Sequence, residues 1–279
     1  MLDNTWVTAF ASVAGLGHLQ NDLPCQDSHC VRALGGGWQI AVVSDGAGSA
    51  AHSELGSDFV VRNIAHELAE LWAAEKWTTL PTPAVWAAQA KTIFANTRKN
   101  LETYAENNGY ALRDLACTAI ATIYSPAVAM VAHIGDGRGT WRNESGQWLP
   151  LFTPFRGQEV NETVFISSDI WQPDTIDDYF SSHVVAEKIT AIAITSDGCE
   201  RGAFLVNVFD EETQKYKDPN LPFAPFFEPN RKGLLQLQKE NKSQAEINEI
   251  WQQFLTDGHK QFKHETDDKT LIISVIRNS

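Results

Sequence analysis

With 279 residues, 43% of them apolar and nine of them tryptophan, the chain is long enough to bury a sizeable core in one large α/β or sandwich domain. Its formal charge of −13 argues against a nucleic-acid or anionic-membrane partner, since both demand a basic surface. Cys25, Cys30, Cys117 and Cys199 form no C-x-x-C pair and have no zinc-type spacing to histidine, so reduced thiols are expected. The opening MLDNTWVTAF has neither the basic nor the long apolar region of a secretory signal, and no apolar run approaches the ~18 residues of a membrane span. The expectation is a soluble, cytoplasmic protein.

In chain order, residues 5–14 (TWVTAFASVA) predict a first strand, followed by a polar loop through GLGHLQNDLPCQDSH. A strand at about 38–44 leads into Asp45. Residues 52–75 predict a helix with Leu55, Phe59, Ile64, Leu68 and Leu71 at helical spacing as a core stripe, and 83–107 a second one. From Ala116 the pattern becomes β. CTAIATIYS and AVAMVAHIGDG flank a turn at Ser125-Pro126, and GTWRNESGQWLP extends the meander through a turn at 143–146. NETVFIS (161–167) and KITAIAITS (188–196) predict two further strands, with a helix after Asp197. The proline-rich, charged segment 207–230 reads as an irregular insertion or flap. A helix at about 243–260 and a strand at 269–277 (KTLIISVIR) complete the series. Strands, two long helices, more strands, then a helix and a strand suit an α+β layered domain with helices packed outside antiparallel sheets, here a single domain over 1–279.

Three apolar β runs end in aspartate and glycine: IAVVSDGAGS at Asp45, VAHIGDGRG at Asp136 and IAITSDGCE at Asp197. Any one Asp-Gly is most simply a hairpin turn. A further acidic pair, Asp267-Asp268, stands immediately before the last strand. If these strands are neighbours, their ends gather carboxylates, and two carboxylates ~4 Å apart repel by about 4 kcal/mol at an effective dielectric of 20. Such a cluster either raises its pKa values or holds cations. Oxygen ligands without paired histidine or cysteine select hard ions such as magnesium or manganese, which activate water and polarise a phosphoryl oxygen.

Taken together, CQDSH, SDGAGS, ACTAIATI, HIGDGR, TSDGCERG and ETDDKTLIISVI resemble, in order and spacing, the type 2C metal-dependent serine/threonine protein phosphatases. GHLQNDLPCQD and NETVF are closer to the bacterial branch. The resemblance implies two antiparallel β-sheets sandwiched between helix pairs, with metals at one end. It implies that Asp45 bridges two Mn2+ or Mg2+ ions, that the Gly46 carbonyl completes one of them, and that Asp197 and Asp267 ligate the other. Asp268 stands where the family often has asparagine, which leaves open which of the acidic pair binds directly. Asp27 matches an aspartate that supports metal-bound water, and Asp136 the aspartate of a third, weaker metal site.

The chain also departs from the family pattern. Gln26 replaces the usual glutamate and supplies a neutral ligand. The phosphate-binding arginine, which would fall near Asp22, is absent, and Ala47 replaces a histidine that serves as general acid. His18, in the same loop, is a candidate for either vacant role, the alternative being an ordinary hydrogen-bonding side chain. Arg138 and Arg201 are candidate phosphate contacts or surface charges. Cys199 has no paired base and reads as a small packed residue, not a nucleophile. Phe223, Phe226 and Phe227 read either as a partner surface or as packing of the insertion. The expected function is hydrolysis of phosphoserine or phosphothreonine on protein substrates by attack of a metal-bridging water, in opposition to a serine/threonine kinase. The alternative, motivated by Gln26, Ala47 and the missing arginine, is a catalytically weak or inactive domain that binds a phosphoprotein or regulatory partner.

Overall fold

The computed structural model describes residues 5–77, 79–155, 157 and 163–277. The elements in order are β1 (Trp6–Val13), α1 (Leu16–Gln20), β2 (Ser28–Gly35), β3 (Trp38–Ser44), α2 (Ser53–Glu75), α3 (Pro83–Asn108), β4 (Ala119–Ser125) and β5 (Val128–Ile134). They continue with β6 (Arg138–Arg142), β7 (Trp148–Pro150), α4 (Ile176–Tyr179), β8 (Ser181–Val185), β9 (Ala191–Thr195), α5 (Glu200–Ala203) and β10 (Phe204–Leu205). The last are β11 (Val208–Asp210), β12 (Lys215–Lys217), β13 (Leu221–Pro222), α6 (Ala224–Lys239), α7 (Gln244–Gln253) and β14 (Lys269–Ile276).

Two five-stranded sheets dominate, ordered β1-β14-β9-β6-β7 and β2-β3-β4-β5-β8, with antiparallel neighbours throughout. Their central strands are continuous apolar runs because both faces are covered. In β14, Leu271, Ile273 and Val275 pack towards α6 and α7, while Ile272 points into the layer between the sheets. In β3 and β4, Ile40, Val42, Ala119, Ala121 and Ile123 face α2 and α3, whereas Ala41, Val43 and Ile120 face the opposite sheet. The result is three apolar layers and an α-β-β-α sandwich, as the resemblance implied. Polar side chains between the sheets pair with one another: Ser274 Oγ lies 2.6 Å from Tyr124 Oη and 2.9 Å from Thr8 Oγ1.

The helices carry their own boundary signals. Thr82 Oγ1 accepts from Val85 N at the start of α3, Pro83 fills its first turn, and Gly109 at φ 74° ends it. Ser243 and Glu246 cap α7 reciprocally. Among the described residues no helix is long and apolar enough to cross a membrane.

The differences from expectation cluster at sheet edges and in the insertion. Strands β2 and β8 were not expected. Both are edge strands with half-exposed, mixed sequences (SHCVRALG and SSHVV), so neither presents an apolar run. Where a strand is expected at 161–167, residues 163–165 are irregular and 166–167 form a turn: Ser168 N donates to Phe165 O and Ser168 Oγ accepts from Phe165 N, each at 3.0 Å. The place beside β5 is taken by β8. Residues 161 and 162 lie outside the described residues. The segment 207–230 is not irregular throughout. It contains the hairpin β11–β12, and from Ala224 it is helical despite Pro229 inside α6. Burial of Phe226, Phe227, Leu234 and Leu235 outweighs the proline penalty of ~3 kcal/mol, since each such side chain contributes about 1.5–3 kcal/mol. Phe226 and Phe227 are therefore core, and only Phe223 is exposed.

Arg138 anchors this insertion. Only 1% exposed, it donates to Glu200 Oε2 (3.0 and 2.8 Å), Asp218 Oδ2 (2.6 Å) and Asn220 Oδ1 (2.7 Å). Removing one partner of a buried charged network leaves the others desolvated and unpaired. Arg138→Met is expected to cost about 2–4 kcal/mol and to expose the 205–223 segment to limited proteolysis, as read from urea unfolding and digestion.

Candidate active site

Sheet register brings the strand-end aspartates together. Thr195 pairs with Leu271, so the turn after β9 lies beside the turn before β14, and Asp197 meets Asp267. Val43 pairs with Ile120 in the other sheet, and Thr118 fixes the residue beyond: Thr118 N donates to Asp45 O at 2.8 Å and Thr118 Oγ1 accepts from Asp45 N at 3.1 Å. Asp136 sits where the chain crosses from β5 in one sheet to β6 in the other, beside Gly135 at φ 109°. The outcome is a cleft of about 480 Å³ at one end of the sandwich, lined by Asp45, Gly46, Asp136, Asp197 and Asp267. Ala47, Thr118, Phe165, Glu200, Arg201 and Glu265 complete much of its wall.

The other expected residues are placed differently. Asp27 is buried beside Asp45, with Oδ2 accepting from Ser196 Oγ at 2.7 Å. Gln26 packs beneath Gly46, where a Cβ on the glycine would lie 2.5 Å from Gln26 O. Asp268 does not line the cleft. Buried to 2% exposure, it accepts from Gly15 N (2.8 Å) and Gln26 N (2.5 Å) and lies 2.8 Å from His18 Nδ1. Of the acidic pair, Asp267 is thus the residue turned to the cleft, and Asp268 ties the loop carrying Gln26 and Asp27 to the start of β14. His18 is engaged with Asp268, and among the described residues no histidine lines the cleft. Cys199 is fully buried and burial pushes its thiol up to about 12, which removes it as a nucleophile.

The electrostatics follow from crowding. Burial first, then the charges of Asp27 and Asp197, hold the Asp45 carboxyl well above the usual carboxylate range. Burial and then Asp267 push Asp197 up to about 7. Burial likewise raises Asp27, Asp136 and Asp267. Asp267 is exposed by surface area, so solvent moderates its share. Gln26 Oε1, Asp27 Oδ1 and Asp197 Oδ1 are buried oxygens with no protein partner. Among the described residues no three acidic, histidine or cysteine side chains close on one point as a ready-made cage. The donor set is nonetheless all hard oxygen, concentrated and under-compensated, which fits a divalent magnesium-type or manganese-type ion.

A sequence model of the Protein phosphatase 2C family matches residues 14–252. The chain belongs to this family. It is 30% identical over 280 residues to Serine/threonine-protein phosphatase 3 of Escherichia coli, a match covering 97% of this chain and 98% of that protein. Among solved structures, its fold is similar to the catalytic domain of serine threonine protein phosphatase PstP in complex with two manganese ions (TM-score 0.58, 15% identity, 98% and 99% of the two chains). It is also similar to RsbX in complex with magnesium (TM-score 0.52, 15% identity, 98% and 96%). The type 2C sandwich expected from the motifs is the fold observed, and its strand-end aspartates share one cleft. Glu200 and Glu265 on the cleft wall fall inside TSDGCERG and ETDDKTLIISVI, but nothing in those motifs beyond their charge beside the aspartates singled them out.

Two outcomes test this electrostatic description. Protonated Asp197 is favoured in the folded state between its ordinary value of 3.8 and about 7, so its contribution is present below that window and lost as pH rises through it. The melting temperature of the metal-free protein is therefore expected to fall more steeply from pH 5 to pH 8 in the wild type than in Asp197→Asn. Manganese is expected to recover more at pH 8 than at pH 5. Asp268→Ala leaves Gly15 N and Gln26 N without their acceptor and is expected to cost about 2–4 kcal/mol, read from denaturant unfolding.

Proposed function

We propose that this phosphatase 2C family member hydrolyses phosphoserine and phosphothreonine monoesters on proteins, using two divalent manganese or magnesium ions. The carrying observation is that Asp45, Asp136, Asp197 and Asp267, from four separate loops, meet in one cleft, where Asp197 Oδ1 is buried without a protein partner. Asp45, the Gly46 carbonyl, Asp197 and Asp267 would hold the two ions, and Asp136 a third and weaker one. When bound, such ions supply charge neutralisation for a phosphoryl group and lower the pKa of coordinated water.

The chain's own residues perform the positioning. Thr118 fixes the Asp45 backbone on both its N–H and C=O sides. Ser196, whose Oγ also accepts from Thr270 N at 3.0 Å, orients Asp27 so that one carboxylate oxygen is held and the other is left to accept a proton or solvent hydrogen bond. Gln26 contributes an uncharged oxygen beneath Gly46, which weakens attraction for a cation relative to a carboxylate there. Ala47, held by its N–H to Ala116 O at 2.9 Å, brings no proton-transferring group to the cleft, and His18 does not substitute for one. Departure of the alcohol thus depends on solvent rather than on a histidine of this chain. The retained acidic set speaks against the catalytically silent alternative. The four cysteines are unpaired thiols, which supports a reducing, cytoplasmic setting in which the phosphatase opposes a serine/threonine kinase.

The test is hydrolysis of a phosphothreonine peptide and of p-nitrophenyl phosphate with and without manganese. Manganese-dependent turnover reduced at least ~100-fold by Asp197→Asn is the expected outcome. Absence of turnover in the wild type with metal binding intact would overturn the assignment.

A further inference from the structure

The cleft wall carries Asp45, Asp136, Asp197, Glu200, Glu265 and Asp267, and among its described residues one cation, Arg201. The two arginines near these motifs have opposite fates. Arg138 is sealed in the fold and committed to Glu200, Asp218 and Asn220. Arg201 is exposed and has no hydrogen bond or ion pair among the described residues, although carboxylates flank it. Its backbone is fixed from both sides. A Cβ at Gly198 would lie 2.0 Å from Asp268 O, and one at Gly202 would lie 2.6 Å from the Phe262 ring, so α5 is seated tightly against the end of β14 and the segment before it. Arg201 is therefore an exposed arginine, unpaired among the described residues, on a tightly seated backbone at the wall of an acidic cleft.

A phosphomonoester brings up to two negative charges to this cleft. Carboxylates repel it, and oxygens not taken by cations need N–H donors. A guanidinium offers two parallel donors that match two phosphoryl oxygens, and it keeps its charge at any working pH. We propose that Arg201 binds the non-bridging oxygens of the substrate phosphoryl group and of the phosphate product. The proposal rests on the phosphatase reading above. It assigns to this residue the substrate's anion, while the aspartates face the cations.

The experiment compares wild type, Arg201→Ala, Arg201→Lys and Asp197→Asn. Two readouts are taken at saturating magnesium: the thermal shift caused by inorganic phosphate, and steady-state kinetics with p-nitrophenyl phosphate and a phosphothreonine peptide, including inhibition by phosphate. Arg201→Ala is expected to raise the inhibition constant of phosphate and the KM of both esters about 10- to 100-fold. It should abolish most of the phosphate-induced thermal shift while leaving metal affinity undiminished, since a repelling cation has been removed. Arg201→Lys is expected to recover part of each loss. Phosphate inhibition and thermal shift within twofold of wild type would overturn the proposal. So would a loss confined to the peptide, which would place Arg201 on flanking residues, or a parallel loss of metal affinity.

The two readings fail separately. An inactive wild type that still shows an Arg201-dependent phosphate shift removes the phosphatase reading and keeps Arg201 only as a phosphate-binding residue. An active wild type with an unaffected Arg201→Ala does the reverse. An inactive wild type with no phosphate shift removes both.

Discussion

Mutual repulsion among carboxylates that the sheet register does not allow to separate is the constraint around which this protein is built. Asp197 and Asp267 are brought together because Thr195 pairs with Leu271 in two strands buried on both faces. A one-residue slip to relieve the repulsion would turn every apolar side chain of β14 to the wrong layer. Packing thus holds the charges in place, and the charges respond by retaining protons or by accepting a cation. The surrounding polar contacts read as consequences of the same pressure: Ser196 on Asp27, Thr118 on the Asp45 backbone, and two backbone N–H groups with His18 on Asp268.

Residues of one chemical type divide their labour by burial. Asp267 and Asp268 are adjacent, yet one faces the cleft and the other is surrounded by backbone donors. Arg138 and Arg201 differ in the same way. The first fastens the 205–223 segment to the sheet through Asp218 and Asn220, and its bond to Glu200 links that fastening to the cleft wall. The second is exposed on the cleft wall and has no ion pair among the described residues. Substituting within either pair would exchange a scaffold role for a surface one, however conservative it looked in sequence.

The apolar runs that end in Asp45, Asp136 and Asp197 were readable because each is a local pattern, a strand followed by a turn. Their convergence was an inference from order and spacing that the register then explains. What stayed hidden was tertiary. Edge strands β2 and β8 lack an apolar face, so only their neighbours reveal them. Helix α6 begins among prolines, and its stability comes from aromatic burial that no window of sequence displays. The role of Asp268 depends on Gly15, His18 and Gln26, 242 to 253 residues away in the sequence. Local propensity carried no information about those contacts.

The pairing of β1 with β14 joins Val13 to Lys269 and Trp6 to Ile276, and β14 lies between β1 and β9 in its sheet. During synthesis the helices α2 and α3 can settle on β3, β4 and β5 early, because those elements are near one another in the chain. The second sheet waits for residues 269–276, and Asp267 arrives with them. A nascent or truncated polypeptide lacking this segment has an open sheet and an incomplete acidic cleft. Closure of the second sheet is therefore what assembles the acidic cleft: its carboxylates come together only when two strands far apart in the sequence, β1 and β14, meet.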